Sequence, residues 1–212
     1  MLLLPAILVV ALALALILGG RFRNLAARRI RLWWLALVGL ALQALPLPTF
    51  EGDAARIVPA AVLALSCGLI VAVAIANLRE PGFLLIAIGF AMNLTVIAVN
   101  GGMPVSEGAA RTAGASDTDI ESLRGSGGKH HLASEEDALR PLGDVIGIPR
   151  PIGVAVSVGD VLAYTGAGVW LFVAMRRGPR REDWASGPRE PGAKSSGTPP
   201  RRSSRHRTRS GW

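Results

Sequence analysis

The sequence predicts an all-α, polytopic integral membrane protein. Five transmembrane helices form a bundle, N-terminus outside and C-terminus inside, with an outer loop folded back on it and a disordered basic tail. Two observations carry this prediction. Apolar residues make up half of the 212-residue chain and lie in five blocks instead of being interleaved with charge. Each block reaches or approaches the roughly 20 residues that cross a hydrocarbon core of about 30 Å. A third, the placement of Lys and Arg between the blocks, sets the orientation.

The first block, LLLPAILVVALALALIL (2–18), has nothing positive before it except the amino terminus, and RFRNLAARRIR (21–31) with five Arg after it. A signal peptide carries its charge first and small residues at a cleavage site after its apolar core. The reversed order predicts an uncleaved anchor. The second block, LWWLALVGLALQALPLP (32–48), the third, IVPAAVLALSCGLIVAVAIA (57–76), and the fourth, FLLIAIGFAMNLTVIAV (83–99), carry no charge. Length and lack of charge separate a spanning helix from a buried one where periodicity cannot. The fifth, IGVAVSVGDVLAYTGAGVWLFVAM (152–175), carries one acid, Asp160. Cys67, in the third block, is the only cysteine, so no intramolecular disulfide forms, and it reads as a small buried hydrophobe.

Basic residues near span ends stay cytoplasmic. With five spans and the N-terminus outside, residues 19–31, 77–82 and the tail hold seventeen Lys and Arg, against six in 49–56 and 100–151. The net charge is +8 and the mean hydropathy +0.41. That charge belongs to residues 176–212, with eleven basic and three acidic groups, while the rest of the chain is neutral. A basic tail is not a nucleic-acid-binding domain, and no nucleic-acid partner is expected. The tail is poor in hydrophobes and rich in Pro, Gly and Ser, which predicts disorder. It can rest on anionic lipid, at about 1 kcal/mol per basic residue. The organisation is therefore a five-helix transmembrane domain over 1–175, including the outer loop 100–151, and a cytoplasmic tail over 176–212.

The outer loop is mixed. SEGAARTAGASDTDIESLRGSGGKHH (106–131) has too little apolar content to fold alone. ASEEDALRPLG (133–143) predicts a short helix, with Ser134 as cap and acids in its first turn. PLGDVIGIPRP (141–151) is apolar but broken by Gly and Pro, so it packs irregularly on the bundle at the interface.

The polar positions inside the blocks set the candidate site. At about 100° per residue, Gly153, Ser157, Asp160, Tyr164 and Ala167 share one stripe of the fifth block. Gly159, Ala163 and Ala167 form a small-residue ridge that permits close helix approach. Asp160 therefore faces protein or a water-filled crevice. An intramembrane acid is a functional-site hypothesis by default. The competing reading is a structural carboxylate that ties the end of the loop to the bundle. No Lys, Arg or His lies within any block to neutralise it, so its partners come from amides, Ser157, Tyr164, the loop backbone, Arg150 and water. Asn93 and Asn100 stand seven apart on the fourth block, with Gly89 one turn before Asn93. The second block shows Gly39 and Gln43, then Pro46. NGGMPVS (100–106) reads as a tight exit turn with Asn100 capping the helix end.

Taken together, NGGMPVS, KHH (129–131), LGDVIGIPRP (142–151) and SVGD (157–160), preceded by GGRFRNLAARRIRLWW (19–34), resemble an uncharacterised bacterial membrane family, domain of unknown function 5317. The resemblance covers roughly residues 1–175. It implies a multi-pass protein of the bacterial cytoplasmic membrane with no assigned activity. It points to Asn100, Gly101, Gly102, Pro104, His130, Asp144, Pro149, Ser157, Gly159 and Asp160 without giving any a role. The basic tail reads as an extension.

Adjacent His130 and His131 diverge in helix or strand and do not chelate one metal. The sequence carries no CxxC, HExxH, phosphate loop or GxSxG elbow, so no metal or cofactor is expected. The candidate polar cluster is Asn93, Asn100, Asp144, Ser157 and Asp160, none of them assigned as catalytic. The favoured reading is a non-enzymatic structural or accessory membrane protein, with the lipid bilayer and a membrane-protein partner or second copy as partners. The alternatives are a small transporter or channel subunit using Asp160 and Asn93, and a membrane-embedded enzyme using His130, Asp144 and Asp160.

Overall fold

In the computed structural model, residues 3–48, 50–125 and 128–177 are described; the tail expectation, apart from its first two residues, lies outside them. The described chain is mostly helical, with eight α-helices: α1 (Leu3–Ile17), α2 (Phe22–Ala26), α3 (Trp33–Ala44), α4 (Ala54–Ala76), α5 (Phe83–Asn100), α6 (Glu107–Thr112), α7 (Asp117–Arg124) and α8 (Val158–Arg176). Three of them, α4, α5 and α8, are long and apolar enough to cross a membrane. The first two apolar blocks form shorter helices. Gly19, at φ +84°, breaks α1, and the Pro46 and Pro48 pair prevents α3 from continuing.

The long helices are ordered by small residues. α5 packs between α4 and α8, α1 packs on the far side of α8, and α3 on the far side of α4. The α5–α8 seam is antiparallel and nearly backbone to backbone. A Cβ on Gly89 would meet the Gly159 carbonyl, and one on Gly166 would lie 2.5 Å from the Gly82 carbonyl oxygen. The ridge thus runs through Gly159, Ala163 and Gly166, all buried, and only Ala167 of the expected set stands off it. On the other side, Gly39 of α3 lets the Ser66 hydroxyl of α4 donate to its carbonyl at 2.8 Å.

The segment joining α5 to α8, expected as an outer loop folded back on the bundle, is a cap that adds four short strands to the helices. Gly101, at φ +68°, ends α5. Next, β1 (Met103–Val105) pairs in parallel with β2 (His130–Leu132). Between these strands, α6 and α7 enclose a small core of Val105, Ala110 and Ile120. The apolar residues of 106–131 are few, but their partners lie in β1, β2 and β4, so the segment folds as part of the cap. The short helix expected at 133–143 does not form, and only a 3-10 turn at Arg140–Leu142 is helical there. The Asp137 carboxylate accepts from both the Ser134 N–H and hydroxyl, closing a local turn that competes with a helix.

Residues 152–157 are not helical either. β3 (Ile146–Ile148) and β4 (Val154–Val156) form an antiparallel hairpin, with Gly147 opposite Ala155. The last helix starts only after Ser157, which leaves Gly153 off the polar stripe.

Candidate functional site

The site is built where the C-terminal half of α5 meets the first turn of α8. Ser157 is the N-cap of α8 and Asp160 its third residue. The Ser157 Oγ accepts from the Asp160 N–H at 2.9 Å, while Asp160 Oδ2 accepts from the Ser157 N–H at 3.1 Å. Two N–H groups that a helix start leaves orphaned are thereby satisfied reciprocally. Asn93, two turns into the seam, closes the arrangement. Its Nδ2 donates to Asp160 Oδ1 at 2.8 Å, and its Oδ1 accepts from the Ser157 hydroxyl at 2.9 Å. Only this orientation of the amide serves both partners. A side chain on Gly159 would collide with Asn93 Oδ1, so the glycine seam brings the ring together. Of the partners expected for Asp160, Ser157 and an amide are used. Arg150 instead lies against Gly114 in an open groove of the cap.

Asp144 sits on the cap side. Its backbone extends β1 on the edge opposite β2: the Asp144 N–H donates to the Pro104 carbonyl at 2.9 Å, and the Ser106 N–H donates to the Asp144 carbonyl at 3.1 Å. Its side chain is 8% exposed, and His130 Nε2 lies 3.7 Å from its Oδ2. Burial pushes the Asp144 carboxyl up to about 8, and the Asp160 charge adds to the rise. Burial also lowers His130, against which Asp160 raises it, although 46% of its side chain remains accessible. The strand alternation of β2 sends His131 elsewhere, onto Asp137 at 2.9 Å. Among the described residues no three His, Cys, Asp or Glu are grouped to hold a metal.

Asn100 is not part of the ring. It ends α5 and ties it to the loop: Nδ2 donates to the Val96 and Ala138 carbonyls, and Oδ1 accepts from the Ala138 N–H at 2.8 Å. Three anchors escaped the sequence. Lys129 Nζ donates to the Leu42, Gln43 and Leu45 carbonyls at 2.7–2.8 Å, capping the end of α3 from 84 residues or more away. At the opposite end of the helices, Arg28 grips Glu80 with 3.0 and 3.2 Å contacts. There Asn77 also holds both the N–H and the carbonyl of Arg31. None of the three has a local spacing to betray it.

The family model described as a family of unknown function (DUF5317) matches residues 27–174. The chain belongs to the DUF5317 family. The DUF5317 match takes in the cap, the α5–α8 seam and all five candidate residues, and begins after α2. No curated protein and no solved structure matches the chain.

Proposed function

We propose that the chain is a non-enzymatic structural or accessory protein of the bacterial cytoplasmic membrane, with five spans, N-terminus outside and C-terminus inside. The seventeen-to-six bias of Lys and Arg supports the orientation. The short α3 is completed by the extended apolar residues 45–48: twelve helical residues cover about 18 Å and four extended ones about 13 Å. Two of those four are prolines without an N–H, and Lys129 supplies donors to the freed carbonyls, which eases the burden of irregular backbone near lipid. A reporter active only in the cytoplasm should work when fused after Arg177 and fail when fused after Gly125. The reverse pattern overturns the orientation.

The observation that carries the structural role is the closed ring of Asn93, Ser157 and Asp160. Both Asp160 oxygens and both ends of the Asn93 amide are committed to each other and to Ser157. An ion pathway needs groups that exchange partners as the ion passes, whereas here a passing ion would unmake a helix cap. Proteoliposomes holding the purified protein should therefore show no proton or cation flux above protein-free vesicles. A flux that Asp160→Asn abolishes without lowering stability overturns this reading in favour of conduction.

A further inference from the structure

Asp144 is the buried carboxyl that the cap leaves without a hydrogen bond among the described residues. The contrast lies within the same fold. Asp137, whose side chain is 9% exposed, accepts from Ser134 twice and meets His131, and Asp160 accepts from Asn93 and Ser157. Asp144, at 8%, has only His130 at 3.7 Å, beyond hydrogen-bond reach. A buried ionised carboxylate without such partners is strongly disfavoured. Its surroundings do not neutralise it. From α8 it faces the acid Asp160 and the phenol of Tyr164. From β2 come His130, and behind it Lys129 and His131, which are committed to the α3 carbonyls and to Asp137. β1 contributes only Met103, Pro104 and Val105, and α5 the neutral amide of Asn93. A proton on Asp144 removes both the desolvation and the repulsion from Asp160.

We propose that Asp144 binds a proton that locks the cap onto the helices, so that opening of the cap and release of that proton are one event. The lock sits at the right place for this. The backbone of Asp144 is the strand edge that binds β1 and the start of α6, and β1 follows directly from α5. The half-exposed His130 ring lies beside it, with Nε2 3.7 Å from the carboxyl.

The sign and window follow from linkage. Exposed Asp144 titrates near the ordinary 3.8 and the buried one near 8. The closed cap thus holds a proton that the open cap does not throughout the interval between them. Closure is strongest in acid, weakens up to tenfold per pH unit as pH rises toward about 8, and is flat above that. His130 acts with the opposite sign: burial lowers it in the closed cap, so its share of closure would grow with pH around its ordinary value.

The test is hydrogen exchange on the full-length protein in lipid nanodiscs, corrected for intrinsic rates, following the amides of Ser106 and Asp144 from pH 5 to pH 9.5. The expected result is protection that falls by at least tenfold between pH 5 and 8 and then levels, whereas Asp144→Asn loses that fall and keeps only the rise with pH that His130 contributes. A wild-type profile that is flat or rises with pH, or an Asn variant that keeps the wild-type slope, overturns the proposal. A second measurement stands even where the Asn variant does not fold. Infrared spectra of aspartate-labelled wild type should show a protonated carboxyl band at pH 6 that disappears by pH 10, and absence of that band at pH 6 overturns the proposal.

Discussion

Replacing Asp160 probes the ring most directly. Asp160→Leu removes the acceptor of two donors, the Asn93 Nδ2 at 2.8 Å and the Ser157 N–H at 3.1 Å, at a site where neither finds another partner. Each donor left unpaired costs about 1–3 kcal/mol, so the variant should lose about 2–6 kcal/mol. A further loss, about 0.3–1 kcal/mol, comes from removing an acid from the first turn of α8. Asp160→Asn keeps one carbonyl oxygen but turns an NH2 toward the second donor, so only one of the two bonds survives, at about 1–3 kcal/mol. Asn93→Ala and Asp160→Ala should couple by about 0.5–3 kcal/mol in a double-mutant cycle, because each residue holds the other's partner.

Thermal unfolding of the detergent-solubilised protein reads these values. For a chain of this size each kcal/mol moves Tm by about 2–4 °C, so Asn should fall by several degrees and Leu by roughly twice as much. Limited proteolysis should quicken at the hairpin before α8, since Ser157 directly follows β4. Equal melting temperatures for wild type, Asn and Leu would refute the structural reading of Asp160. So would a coupling energy near zero, because the ring would then hold nothing together.

Two further outcomes follow from the seams. Gly159→Ala should cost at least 1–3 kcal/mol by overpacking and should also disturb the ring, since the new methyl meets Asn93 Oδ1. Gly68→Ala in α4, where nothing lies within 4 Å, should instead stabilise by up to about 1 kcal/mol through helix propensity; equal Tm shifts for the two would contradict the seam. Lys129→Met strips three α3 carbonyls of their charged donor and should lower stability by about 1.5–3 kcal/mol while speeding cleavage at 45–52; an unchanged cleavage rate would show that the lysine anchors nothing.

The same ring shows which parts of the fold the sequence made legible and which it hid. Apolar block length revealed the three long helices, because lipid-length apolar runs have few other uses. The small-residue ridge was also readable, since glycine and alanine at helical spacing mark close approach. The start of α8 was misplaced although its signal was present. Ser157 and Asp160 stand three apart like Ser116 and Asp119 of α7, and both pairs form capping boxes. An uninterrupted apolar run from 152 onward concealed that pattern, because a strand of Val154–Val156 and a helix look alike over so few residues. Asn93 lies 67 positions from Asp160, and its own stripe gave its face but not its partner. Lys129 had no local signal at all: its three acceptors are carbonyls, which every residue carries, so only the folded chain could select them. The cap was underestimated for a related reason. Its core of Val105, Ala110 and Ile120 is assembled from three separate segments, and no single window of the sequence holds enough apolar surface to announce it. In this chain, local chemistry specifies where helices run and how closely they can approach, and long-range hydrogen bonds decide where the last helix begins and how the cap is seated.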